Sequence, residues 1–107
     1  MISRHWKGLA KPDQAENYVT HLRVDTFPLL AKIDGFIDAS ILKRSTDRGI
    51  EFLIVTRWSS LESIKNFAGE SAEVAVVPAT VQEMMLEYDK EVVHYEIREV
   101  FAGSDHA

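Results

Sequence analysis

Cysteine is missing from the 107-residue chain. Its absence excludes disulfides, thiolate metal sites, iron–sulfur ligation and cysteine nucleophiles. Long apolar runs are missing too: no stretch approaches membrane-spanning length. The opening Met1-Ile2-Ser3-Arg4-His5-Trp6 holds no run that could serve as a signal peptide, so a cytoplasmic location is expected. Blocks of one charge sign are also lacking. The net charge is −5 and the carboxylates are spread along the chain, which makes nucleic acid and acidic membrane surfaces poor partners. The local basic group Lys43, Arg44 and Arg48 lies beside a turn and reads as solvated hairpin charge. Histidines 5, 21, 94 and 106 show no i, i+3 or i, i+4 pairing of the kind that builds a helical metal site, so no metal is expected. G-x-S-x-G, P-loop and G-x-G-x-x-G motifs do not occur.

What is present is globular composition, 46% hydrophobic and 27% charged, at a length that supports one two-layer core. A single domain over residues 1–101 is expected, followed by a small polar tail over 102–107. Ile2 to Leu9 reads as a strand with Ile2, Arg4 and Trp6 on one side and Ser3, His5 and Lys7 on the other. Asp13 and Glu16 have capping-box spacing. Ala15, Tyr18, Val19, Leu22, Thr26, Leu29, Leu30 and Ile33 then recur at helical steps. Pro28 inside that pattern predicts a kink near Phe27, and Asp34-Gly35 ends the helix. Phe36 to Arg44 reads as a strand with Ile37, Ala39 and Ile41 on one side and Phe36, Ser40 and Leu42 on the other. A turn at Ser45–Gly49 leads to Ile50–Trp58, apolar on both sides and therefore placed centrally.

Ser59 and Glu62 form a second capping-box pattern before a helix whose core face is Leu61, Ile64, Phe67 and Ala68. Residues 71–77 read as loop or a short helical turn, 79–88 as a third helical piece, and Val92 to Phe101 as the last strand. The order is βαββαβ: a ferredoxin-like α+β fold with a four-stranded antiparallel sheet and helices on one face. Two strands carry apolar residues on both sides, whereas helices can cover only one. Burying the other face against a second copy of the chain is the simplest remedy, so a homodimer is expected.

Among chemistry-bearing residues, His21 sits off the apolar face of the first helix and is expected to face solvent. His94 lies in a strand on a mixed side. It is either bonded to a backbone carbonyl or held at a dimer seam, or it is a proton-transfer residue in a pocket. Arg4 and Arg57 are strand arginines that need a carboxylate partner, for which Glu96 and Glu51 are candidates, or an anionic ligand. Trp6 and Trp58 are core or substrate-stacking residues, and Met84 and Met85 are core filler.

The run Ile54-Val55-Thr56-Arg57-Trp58-Ser59-Ser60-Leu61-Glu62-Ser63-Ile64-Lys65-Asn66-Phe67 resembles the antibiotic biosynthesis monooxygenase (ABM) family. So do Val76-Val77-Pro78, His94-Tyr95-Glu96 and Ile33-Asp34-Gly35-Phe36. The resemblance implies a dimeric α+β barrel with a pocket between sheet and helices. It also implies, in some members, oxygenation of phenolic or anthrone-like substrates without metal or flavin, so no cofactor is expected. Trp58 matches a tryptophan of the polyketide-oxygenating members, while Ile54 and Ile64 stand where those members carry asparagine and tyrosine. The haem-degrading branch has an asparagine in the first strand, which this chain lacks. It also has a tryptophan where Phe67 stands and a histidine near the position of Val77, so haem degradation is not implied.

Two functions follow from these residues. One is a cofactor-independent monooxygenase for a small aromatic or quinol-like compound. In it His94 is the base, Arg4 the anion stabiliser, and Trp6, Trp58 and Tyr95 the pocket lining. The other is a non-catalytic small-ligand-binding or stress-related domain.

Overall fold

The computed structural model describes residues 1–103; residues 104–107, which hold His106 and most of the expected tail, lie outside it. The fold is α+β, with helices packed on one face of an antiparallel sheet. Strand β1 (Ile2–Ala10) is followed by a 3-10 turn at Pro12–Gln14 and helix α1 (Ala15–His21). A π-helical turn at Leu22–Thr26 and helix α2 (Phe27–Leu30) complete the first helical layer. Strands β2 (Phe36–Ser45) and β3 (Ile50–Trp58) form a hairpin, then come α3 (Leu61–Ala68), α4 (Ala79–Met84), β4 (Met85–Tyr88) and β5 (Val93–Glu96).

The sheet runs β2-β3-β1-β4, and β5 also pairs with β1. Both β4 and β5 lie antiparallel along the same edge of β1, at Gly8–Ala10 and at Ile2–His5. Together they fill the fourth ladder position of a βαββαβ sheet as one strand interrupted at residues 89–92. This corrects the expected helix over 79–88, which ends at Met84, and the expected strand over 92–101, which spans only Val93–Glu96. The interruption turns residues 89–92 outward to hold the loop before α4. Ala75 N–H donates to the Lys90 carbonyl and Val92 N–H to the Glu73 carbonyl, each in the 2.8–2.9 Å range.

In β3 the even residues Phe52, Ile54, Thr56 and Trp58 are buried and the odd ones half-exposed, the signature of a strand with one face on the core. Register places Ile2, Arg4, Trp6, Gly8 and Ala10 of β1 on that same face. In β2 a bulge between Phe36 and Asp38 shifts the pattern by one. Phe36 therefore joins Ala39 and Ile41 toward the helices, and Ile37 is exposed, which corrects the expected grouping. Phe52 and Trp58 are fully buried, and each contributes on the order of 2–3 kcal/mol through removal of apolar area from water.

The helical layer differs from expectation at its caps and bend. Neither Asp13 nor Ser59 caps a helix: α1 starts from Gln14 without a side-chain cap, and α3 starts from Ser60, whose hydroxyl accepts from the Ser63 amide. Pro28 cannot supply an amide, and the chain answers one turn earlier. The Phe27 amide reaches back five residues to the Leu22 carbonyl, which makes the π turn. Leu29 and Leu61, expected in the core, are exposed.

Candidate functional site

The helix-side core falls into two clusters. One gathers Tyr18, Leu22, Phe52, Ile54, Val81 and Met85; the other Leu30, Trp58, Ile64 and Ala72. Between Ile54 and Trp58 stands the polar rung formed by Thr56 and its β1 partner Arg4. A polar pair in the middle of an apolar layer keeps the two clusters from merging. A pocket of about 80 Å³ opens at that seam, lined on the sheet side by Arg4, Trp6, Ile54 and Thr56. Leu22, Thr26, Phe27 and Leu30 form its helical wall, and Tyr18, Phe67, Val76 and Val92 close it. The π turn brings Leu22, Thr26 and Phe27 to one wall, a common use of that distortion at functional sites. A smaller lobe of about 50 Å³ shares Trp6, Tyr18, Leu22, Thr26 and Val76 with the pocket and adds His21, Val77, Pro78 and Val81.

Arg4 is 5% exposed and has no carboxylate within ion-pair distance among the described residues. Its guanidinium donates to the carbonyls of Ala72 and Val74 and, at 3.0 Å, to Nε2 of His94. Its Cζ also sits 5.7 Å from the Phe67 ring centroid. Burial lowers its pKa to about 10, because removing the charge from water disfavours the ionised form. A guanidinium carries five N–H groups. Three are engaged with described residues, and two have no partner among them. Neither expected carboxylate reaches these arginines: Glu51 pairs with Arg44, Glu96 is in no ion pair among the described residues, and Arg57 pairs with Asp38.

His94 follows from the same geometry. Arginine can only donate, so Nε2 of His94 accepts, and the ring is neutral with its proton on Nδ1. Burial first, and then the charge on Arg4, push its pKa below 6.5, with Glu73 opposing. Use of Nε2 as a proton acceptor requires the bond to Arg4 to open.

The other sequence-derived candidates are placed as follows. Trp6 lines the pocket, and its Nε1 donates to the Asp89 carbonyl at 2.9 Å. Trp58 lies in the second core cluster, stacked on Phe67 and donating to the Thr56 hydroxyl. Tyr95 lies on the opposite sheet face, edge-on to His5 and 55% exposed. Sequence reasoning missed Tyr18, Thr26, Phe27, Phe67 and His21. His21 was expected in solvent, yet its side chain is only 16% exposed and lines the lobe, with Nδ1 3.3 Å from Asp25 Oδ2. A wider groove of about 430 Å³ at the hairpin mixes Lys7 and Arg48 with Asp47, Glu51, Glu87 and Asp89. It is polar, and Arg48 pairs with Glu87 there, so it lacks the apolar lining of a small-molecule site.

The fold and this pocket define a ferredoxin-like α+β domain with a partly enclosed, mostly apolar site under its helices. The profile described as antibiotic biosynthesis monooxygenase matches residues 1–77, and the chain belongs to that family. Solved structures agree in fold. A Bacillus cereus protein assigned as an antibiotic biosynthesis monooxygenase is 21% identical, with 98% of each chain covered and a TM-score of 0.70. SnoaB of Streptomyces nogalater, a cofactor-independent oxygenase, is 12% identical with a TM-score of 0.65, covering 95% of this chain and 97% of its own. MhuD of Mycobacterium tuberculosis, a heme-degrader, is 14% identical with a TM-score of 0.60, covering 95% and 100%. No curated protein matches the chain. A porphyrin does not fit the pocket as shaped here: the space is far smaller than the macrocycle, and His94 turns its Nε2 to Arg4.

Proposed function

We propose that the protein is a cofactor-independent monooxygenase for a small, single-ring phenol or quinol bound beneath the helices. The observation that carries this reading is the buried guanidinium of Arg4, which among the described residues has free N–H groups and no counter-ion, in a mostly apolar pocket. Such a group favours a ligand that develops negative charge. Oxygenation of a quinol needs that charge: the deprotonated ring passes an electron to O2, the two radicals recombine, and water leaves. For hydroquinone the balance is quinol plus O2 to 2-hydroxy-1,4-benzoquinone plus water. Arg4 stabilises the anion, Trp6 and Phe67 flank the ring, and His94 fixes the Arg4 fork. The dry apolar walls keep bulk water from the reactive intermediate.

The pocket and its lobe together approach the cavity of about 150 Å³ known to hold benzene, which sets one ring as the natural size. The test is oxygen uptake with hydroquinone as substrate, without added metal or flavin. Uptake above the uncatalysed rate that is lost in Arg4→Met supports the reading. Uptake equal to the uncatalysed rate with hydroquinone and its methylated relatives sinks it. A second reading, a non-catalytic ligand-binding domain, is favoured by the small size of the pocket, and binding of hydroquinone without turnover would identify it.

The sheet face away from the helices supports a homodimer. Leu42, Leu53, Val55, Val93 and Tyr95 lie on it, flanked by the Arg57–Asp38 and Arg44–Glu51 pairs, an apolar centre with a charged rim. A cytoplasmic location accords with the reading. Among the described residues no helix is long and apolar enough to cross a membrane.

A further inference from the structure

We infer that His21, oriented by Asp25, is the proton acceptor of this pocket, serving the lobe where Tyr18 presents its hydroxyl. The inference rests on the small-phenol reading above and names the group that ionises the substrate.

Four observations meet at one point. First, His21 ends α1 and Asp25 lies four residues on in the π turn, so the two side chains share a face and Nδ1 comes within 3.3 Å of the carboxylate. The contact is one of charge rather than a hydrogen bond, and a carboxylate on the Nδ1 side favours the proton there and leaves Nε2 as the basic atom. Second, Nε2 of His21 makes no hydrogen bond to a described residue. No sealed side-chain nitrogen or oxygen among those residues lacks a partner, so Nε2 keeps some accessible surface, and the cavity that His21 lines is the lobe.

Third, Tyr18 precedes His21 by one helical turn and is 2% exposed, with its ring packed on Phe52 at 5.0 Å and Trp6 at 6.0 Å. Its hydroxyl also lacks a partner among the described residues, and Tyr18 lines both the pocket and the lobe. Burial raises its pKa, so it stays protonated and acts as a donor. Fourth, the competing histidine is occupied: Nε2 of His94 accepts from Arg4.

The pocket thus has an anion-stabilising end at Arg4 and a proton-accepting end at His21, with Trp6 between them. A substrate hydroxyl held by Tyr18 gives its proton to Nε2 of His21. The O–H bond breaks, the N–H bond forms, and the substrate is left as its anion beside an imidazolium facing Asp25. No electron moves in this step.

The experiment uses 4-nitrophenol, whose neutral and ionised forms absorb differently, bound to the full-length protein at neutral pH. Proton transfer within the complex predicts an ionised fraction of the bound probe well above that of the free probe at the same pH, with protons taken up rather than released in a weakly buffered solution. His21→Gln should retain binding and lower the ratio of ionised to neutral bound probe at least tenfold. Asp25→Asn, at a side chain 65% exposed and so safe for folding, should lower it severalfold. An unchanged ratio in both variants, with the probe still bound, overturns the assignment while leaving the pocket reading intact. Failure of the wild-type protein to bind the probe overturns both.

Discussion

Replacing Arg4 by methionine keeps much of the stem's volume and deletes the guanidinium. The structure fixes what is lost. The Ala72 carbonyl belongs to a residue 4% exposed and loses its donor, a charge-assisted bond whose removal costs about 1–3 kcal/mol. The Val74 carbonyl lies at a half-exposed residue and can take water, so its share is roughly 0–1 kcal/mol. Nε2 of His94 loses its donor, and the contact with Phe67 adds about 0.5–1 kcal/mol. Against this stands relief from holding a charge out of water. The net is about 1–4 kcal/mol, or a fall in Tm of roughly 5–20 °C at this size.

The loss should concentrate in the loop before α4. Hydrogen exchange at the amides of Ala75 and Val92, which tie that loop to residues 89–92, should quicken more than exchange in β3. Thermal melts and exchange on the same variant check both parts. A variant within about 0.5 kcal/mol of the parent, with loop exchange unchanged, would refute the role of Arg4 as the pin of this loop.

Gly35 has φ +94°, and a Cβ there would lie 2.7 Å from Ser63 Cβ and closer still to its hydroxyl. Gly35→Ala should therefore cost about 2 kcal/mol or more by denaturant melt. For pH, His94 is held neutral in the fold, so between its folded pKa and 6.5 the unfolded chain binds more protons. Its stability contribution is then full above pH 6.5 and is lost as pH falls below it. His94→Gln should flatten that slope in melts across pH 5 to 7; the slope that remains includes His5, whose pKa burial also lowers. Leu53→Asp places a carboxylate in the centre of the outer sheet face. With a penalty of about 3 kcal/mol for an unpaired buried charge, it should weaken self-association roughly a hundredfold, read by light scattering at micromolar concentration.

Strand β3 was legible because its alternation carries no irregularity, and Arg4 and Trp6 were legible because they share its face. The parity of β2 was lost to a bulge, which composition does not reveal. Residues 79–88 kept a helical spacing of Val81, Met84, Met85 and Tyr88, yet β1 has an open edge at Gly8–Ala10 and takes Met85–Tyr88 as a strand. Pairing partners override local pattern there. At the site, adjacent strand residues point to opposite faces, so one pocket could not take both His94 and Tyr95. His21 was unreadable for a different reason. The cover that makes it a wall residue comes from Val77, Pro78 and Val81, nearly 60 positions away.

The most direct measurement of the central claim is turnover of hydroquinone under 18O2. The account predicts one labelled atom in the hydroxyl of the product quinone and the other in water, with no metal or flavin added. Quinone formed without label, or hydrogen peroxide in place of labelled water, would contradict it.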